Sequence, residues 1–156
     1  AFFKRLPDAG GFTYWLTKNS TGTNLNTIAN FFAQSSEFQN TYGNTSNSAY
    51  VTLVYNNVLD RSPDAGGLSY WVAQLDDGLP RGQMMVGFSE SNEGIRLRRA
   101  VVDSVLFHLG MLGRLPTPGD LTADQSAIAA KGGQPSEVIV NDLLVGAEYA
   151  TRIAGT

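Results

Sequence analysis

The chain has no cysteine, a single histidine and two tryptophans in 156 residues. Without a thiol there is no disulfide framework, no Cys-ligated zinc and no cysteine nucleophile. The lone His108 is the one imidazole on offer as a general base, and no spacing selects a pair of carboxylates for that work. Basic residues are scarce: 11 Lys and Arg against 14 Asp and Glu give a net charge of -3. That excludes the basic face with which a nucleic-acid binder displaces counterions from phosphates. No apolar run reaches the roughly 18 residues of a spanning helix, so no membrane span is expected. A Walker-type phosphate loop, a Gly-x-Ser-x-Gly elbow and a His-Glu-x-x-His motif are also missing, and no enzyme activity is expected.

What is present is repetition. Arg5-Leu-Pro-Asp-Ala-Gly-Gly-Phe-Thr-Tyr-Trp15 returns as Arg61-Ser-Pro-Asp-Ala-Gly-Gly-Leu-Ser-Tyr-Trp71, a displacement of 56 residues that also superimposes Gly22 on Gly78, Phe32 on Phe88 and Glu37 on Glu93. A third, eroded copy carries Arg114 and Pro116, with Gly146-Ala-Glu148 in place of Ser-x-Glu. Catalytic groups are seldom duplicated within one small chain, whereas packing and capping residues recur because each unit closes its own core.

The second copy is complete. Val51, Val54, Tyr55, Val58 and Leu59 fall three and four residues apart, the stripe of an amphipathic helix over 49–60. Pro63 stops it, and Asp64 stands as N-cap of a second helix running from about Ala65 to Asp76, closed by Gly78. Pro80 opens a third helix that carries Met84, Met85 and Phe88 and ends near Asn92. In the third copy the spacing predicts helices over 101–113, 122–131 and 136–153. The Tyr-Trp pair is replaced there by small residues around Ala127 and Ile128. The expected fold is all-α: tandem three-helix repeats, two and a half to three copies packed as one helical domain. Its parts are a first repeat over 1–44 that lacks its leading helix, a complete repeat over 45–97 and a degenerate capping repeat over 98–156. Of that leading helix only Ala1, Phe2 and Phe3 remain, which leaves Phe2, Phe3, Phe12 and Trp15 short of a neighbour. Self-association through that N-terminal face, or cover by a preceding helix of the same polypeptide, is therefore expected.

Three sets of residues are candidates for a role. Arg5 with Glu37, Arg61 with Glu93 and Arg114 with Glu148 recur in every copy and suit a two-point guanidinium–carboxylate pair that fixes each repeat. Asp8 and Asp64 suit helix caps, with calcium ligation or sugar contact as the alternative use of a carboxylate in a Gly-rich turn. Tyr14-Trp15 and Tyr70-Trp71 suit core packing, with a platform for sugar rings as the alternative.

The pattern from Leu59 to Glu93, Leu-x-Arg-x-Pro-Asp-x-x-Gly-Leu-x-Tyr-Trp followed by Gly and Phe-x-x-Ser-x-Glu, closely resembles the bacterial domain of unknown function 4214. A more distant similarity is to the linker domains of phycobilisomes. The resemblance implies a helical module of large exported proteins that occurs beside calcium-binding RTX repeats, adhesin regions or surface-layer domains. No Gly-Gly-x-Gly-x-Asp nonapeptide occurs in this chain, so calcium dependence is not carried over. The expectation is a non-catalytic interaction module, secreted to a bacterial cell surface and working through protein contacts. Binding of surface polysaccharide or calcium through the Asp and Tyr-Trp turn is the alternative.

Overall fold

A computed structural model describes Phe3 and residues 5–155 of the chain; the expectation placed on Ala1 and Phe2 falls outside them. The described residues are helical and contain no strand. In order they form α1 (Ala9–Ser20), α2 (Leu25–Gln34), the short α3 (Ser36–Phe38), α4 (Asn47–Val58), α5 (Ala65–Asp76), α6 (Arg81–Ser89), α7 (Asn92–Phe107), α8 (Pro118–Lys131), α9 (Pro135–Leu144) and α10 (Ala147–Ala154). Single π-helical turns extend α3 (Gln39–Gly43) and α7 (His108–Leu112). The chain divides into two compact units, Ala1–Ile95 and Arg96–Thr156.

In the first unit α4 is the central element. Tyr50, Val51, Val54, Tyr55 and Val58 are all buried, and they join Met84, Met85 and Phe88 of α6 and Leu75 of α5 in one core. Helices α2 and α6 meet at Gly82, where a methyl group would stand 2.8 Å from the Ala29 carbonyl oxygen, so only glycine admits this approach. Arg81 ties the core to the turn before α4. Its guanidinium donates to the Tyr42 and Thr45 carbonyls at 2.7 and 2.6 Å and lies 4.6 Å above the Tyr50 ring. The second unit closes on Val105, Val138 and Ile139.

Local chemistry sets the helix limits. Asp8 and Asp64 accept from the Gly11 and Gly67 amides at 2.7 and 2.8 Å, and Gly22 and Gly78, at φ of 103° and 98°, follow the ends of α1 and α5. Several expected limits differ: α8 begins at Pro118 and not at 122, because Thr117 caps it, and α6 ends at Ser89 and not near Asn92. The helix predicted over 101–113 begins nine residues earlier, at Asn92, because Ser91 caps it by accepting from Gly94 N and residues 95–107 contain neither glycine nor proline. The helix predicted over 136–153 is two helices, broken at Val145-Gly146, with Gly146 as the N-cap of α10 where the other copies have Ser35 and Ser91.

Candidate functional site

Each repeat closes a turn with the same clamp. Arg5 donates from Nε and Nη2 to the two oxygens of Glu37, both at 2.8 Å. Arg61 does the same to Glu93 at 2.7 and 3.0 Å, and Arg114 to Glu148 at 2.6 and 2.7 Å. In each clamp Nη1 turns back to the carbonyl of the next residue, Leu6, Ser62 or Leu115. The glutamates sit in the first turns of α3, α7 and α10, where the helix dipole also favours a negative charge. The hydrogen bonds from Arg5 and Arg114 hold Glu37 and Glu148 below the usual carboxylate range. Both partners stand a third to a half open to solvent, so the clamps orient the turns more than they stabilise the fold.

The Asp8 and Asp64 carboxylates face their own helix amides, and the Gly11 and Gly67 N–H groups hold both acids below their ordinary value. Among the described residues no three His, Asp or Glu side chains stand together as a metal cluster. The adjacent aromatics divide their work. Trp15 and Trp71 are half-buried, with ring centres 5.0 and 5.2 Å from Phe32 and Phe88, while Tyr14 and Tyr70 are 54% and 57% exposed. Within each pair the rings are nearly perpendicular, at 83° and 78°, and do not form one flat shelf.

Between α1 and α2 lies an apolar groove of about 440 Å³, walled by Phe3, Phe12, Trp15, Leu16, Ile28 and Phe32, with Arg5 and Asp8 at its rim. The positions 56 residues later are Leu59, Leu68, Trp71, Val72, Met84 and Phe88. All six belong to, or pack against, the core that α4 completes. The same frame therefore occurs twice in the first unit, once covered by a helix and once, among the described residues, without one.

The third repeat fills the corresponding space with different chemistry. Aligning Arg114 with Arg61 places His108 at Tyr55, Thr117 at Asp64, Asp120 at Gly67, Ser104 at Val51 and Asp124 at Trp71. The Tyr-Trp pair is thus replaced by Ala123 and Asp124, not by residues around Ala127 and Ile128. Thr117 caps α8 in a reciprocal box with Asp120. His108, buried at 2% exposure, stands 3.8 Å from Asp120 and 3.7 Å from Asp124, with Nδ1 3.0 Å from the Ser104 carbonyl. Ser104 Oγ is fully buried, donates to Asp124 at 2.5 Å and lies 3.5 Å from His108 Nδ1, so serine, histidine and aspartate share one buried hydrogen-bond network. Arg114 donates to Asp120 at 2.8 Å and, with Thr117, holds that acid well below its ordinary range. Ser104, Asp120, Asp124 and Arg81 escape a motif search because each matters only through its partner. The 53-residue offset between Arg61 and Arg114 is the signal that finds the first three.

Residues 29–97 match the family model described as Domain of unknown function (DUF4214). That match contains the whole motif from Leu59 to Glu93. No curated protein and no solved structure matches the chain.

Proposed function

Residues 29–97 belong to the DUF4214 family, and from that premise we propose that this chain is a non-catalytic helical interaction module, built of tandem three-helix repeats, of a secreted bacterial surface-layer or adhesin-like protein. The observation that carries the reading is the α1–α2 groove. An apolar trough of this size, rimmed by charge, fits a macromolecular contact. Leu16 and Leu25 on its wall are 53% and 43% exposed, and Phe31 beside Trp15 is 58% exposed. The three clamps support a scaffold reading because they fix turn geometry in every repeat.

Photo-crosslinking in the producing bacterium tests this. A crosslinker at Leu16 is expected to give discrete protein adducts, and the protein to be cut by protease added to intact cells. Adducts with polysaccharide alone, or a chain protected inside the cell, would overturn the reading. The exposure of Tyr14 and Tyr70 favours a second reading, contact with surface polysaccharide. It requires that Tyr14→Ala and Tyr70→Ala reduce binding to the extracted polysaccharide.

A further inference from the structure

Among the described residues, the buried polar side chains Asp103, Ser104, His108 and Asp124 all lie in the Arg96–Thr156 unit. Where Ser104, His108 and Asp124 stand, the second repeat has Val51, Tyr55 and Trp71, which carry no charge. A buried carboxylate needs a counter-ion or a full set of donors. Asp103 takes both of its hydrogen bonds from Arg99 Nε, at 2.8 and 3.0 Å. Asp120 accepts through Oδ2 from Arg114 and from the amide and hydroxyl of Thr117. Arg114 gives its remaining donors to Glu148 and the Leu115 carbonyl. Asp124 is different. It accepts from Ser104 at 2.5 Å, and among the described residues no lysine or arginine pairs with it. The group placed to balance its charge is His108, whose Nδ1 lies 3.7 Å away.

The imidazole is oriented for that task. Nδ1 lies 3.0 Å from the Ser104 carbonyl, which can only accept, so Nδ1 carries a hydrogen. Nε2 faces Asp120 Oδ1 at 3.8 Å, the oxygen that Arg114 and Thr117 leave to it. In a neutral ring that nitrogen would turn a lone pair toward a carboxylate, whereas in an imidazolium it presents a second N–H. The remaining charges near the ring come from α10. Glu148 is bound by Arg114 and also feels the imidazole, and the Arg152 guanidinium packs against Gly113. From α9 the core receives the apolar Val138 and Ile139. We infer that a proton on His108 is the counter-ion of Asp124 and holds α7 on α8, so that the Arg96–Thr156 unit loosens as that proton is lost. The Ala1–Ile95 unit contains no histidine and lacks this response. The stabilising share of the pair is present while the ring is charged, below the unfolded-state imidazole value of about 6.5, and is lost as pH rises above it. Below about pH 4 the carboxylates take up protons and the pair is lost from the other side.

Hydrogen exchange of the intact chain at pH 6 and pH 8, with each amide rate divided by its intrinsic rate, tests this. His108 is the one histidine of the chain, so its ring resonances are unambiguous. In the folded chain at pH 6 they should be those of an imidazolium. Opening of the α8 amides should increase roughly threefold or more by pH 8, with the α4 and α6 amides unchanged. Asp124→Asn should remove the difference, because the amide keeps Ser104 as a partner and needs no counter-ion. A neutral ring at pH 6, exchange in α8 that is indifferent to pH or slows toward pH 8, or an equal rise in α4 would overturn the proposal, and these readouts need no variant. A pH dependence that survives in Asp124→Asn would overturn the pairing itself.

Discussion

Helices α1 and α2 and helices α5 and α6 share an aspartate cap, a Tyr-Trp pair, a phenylalanine against the indole and a closing arginine clamp. Their burial nevertheless differs. At matched positions Phe88 is 4% exposed and Met84 fully buried under α4, whereas Phe32 is half-buried and Ile28 7% exposed. The side chains of the frame are nearly the same in both pairs, and in the second they join one core with α4. The second frame is thus covered by α4, and the same clamp and cap form in both pairs. The third repeat adds that covering helix and frame change together, histidine with aspartate in place of tyrosine with glycine.

Paired substitutions break the comparison most strongly. Phe88→Ala should cost about 3–5 kcal/mol in urea unfolding, and Phe32→Ala less, because Phe88 is the more deeply buried of the two. Equal costs would mean that α4 contributes little. Next comes the contact of Tyr55 with Gly67. Gly67→Ala should destabilise by about 1–3 kcal/mol by overpacking against Tyr55, and the double variant with Tyr55→Phe should recover most of the loss. Gly11→Ala should cost less than Gly67→Ala, since among the described residues a methyl group there meets the Asp8 carboxylate, at 3.0 Å, and alanine favours a helix by up to about 1 kcal/mol.

Smaller effects sharpen the contrast with the third repeat. The folded-state affinity of Asp120 for its proton is depressed by Arg114 and Thr117. Its stabilising contribution is therefore complete above the unfolded-state pKa of about 4 and is lost as pH falls below it. Asp120→Asn should melt below the wild type at pH 6, and the gap should shrink steadily as pH drops below 4. A gap that widens on acidification would contradict the assignment. The least effect is expected at the caps. Asp64→Asn should be nearly silent and Asp64→Ala mildly destabilising, with a melting temperature indifferent to chelator. A chelator-sensitive melting temperature would reassign Asp8 and Asp64 to calcium.

What was legible in the sequence was local. Helical content, the caps at Asp8 and Asp64 and the glycines after α1 and α5 follow from side chains acting within a few residues, and duplication made the Arg–Glu spacing visible. The continuity of α7 was harder to read, because no single residue marks the loss of the break that Asn44 to Ser46 provide in the first repeat. Arg81 stands where the first repeat has Leu25, and its carbonyl partners at Tyr42 and Thr45 are distant in sequence, so repetition gave no clue to its role. The His108 network was hidden by the erosion of the third repeat. Its polar residues become intelligible only when paired across α7 and α8. The open groove was suggested by the repeat register, but its walls required the packing of α1 on α2.

The central claim is that α4 completes the frame of the second repeat through the fit of Tyr55 over Gly67. A double-mutant cycle of Gly67→Ala and Tyr55→Phe, read by urea unfolding, tests it most directly. The account predicts strong coupling, the double variant being markedly more stable than the sum of the single losses. Additive losses would contradict it.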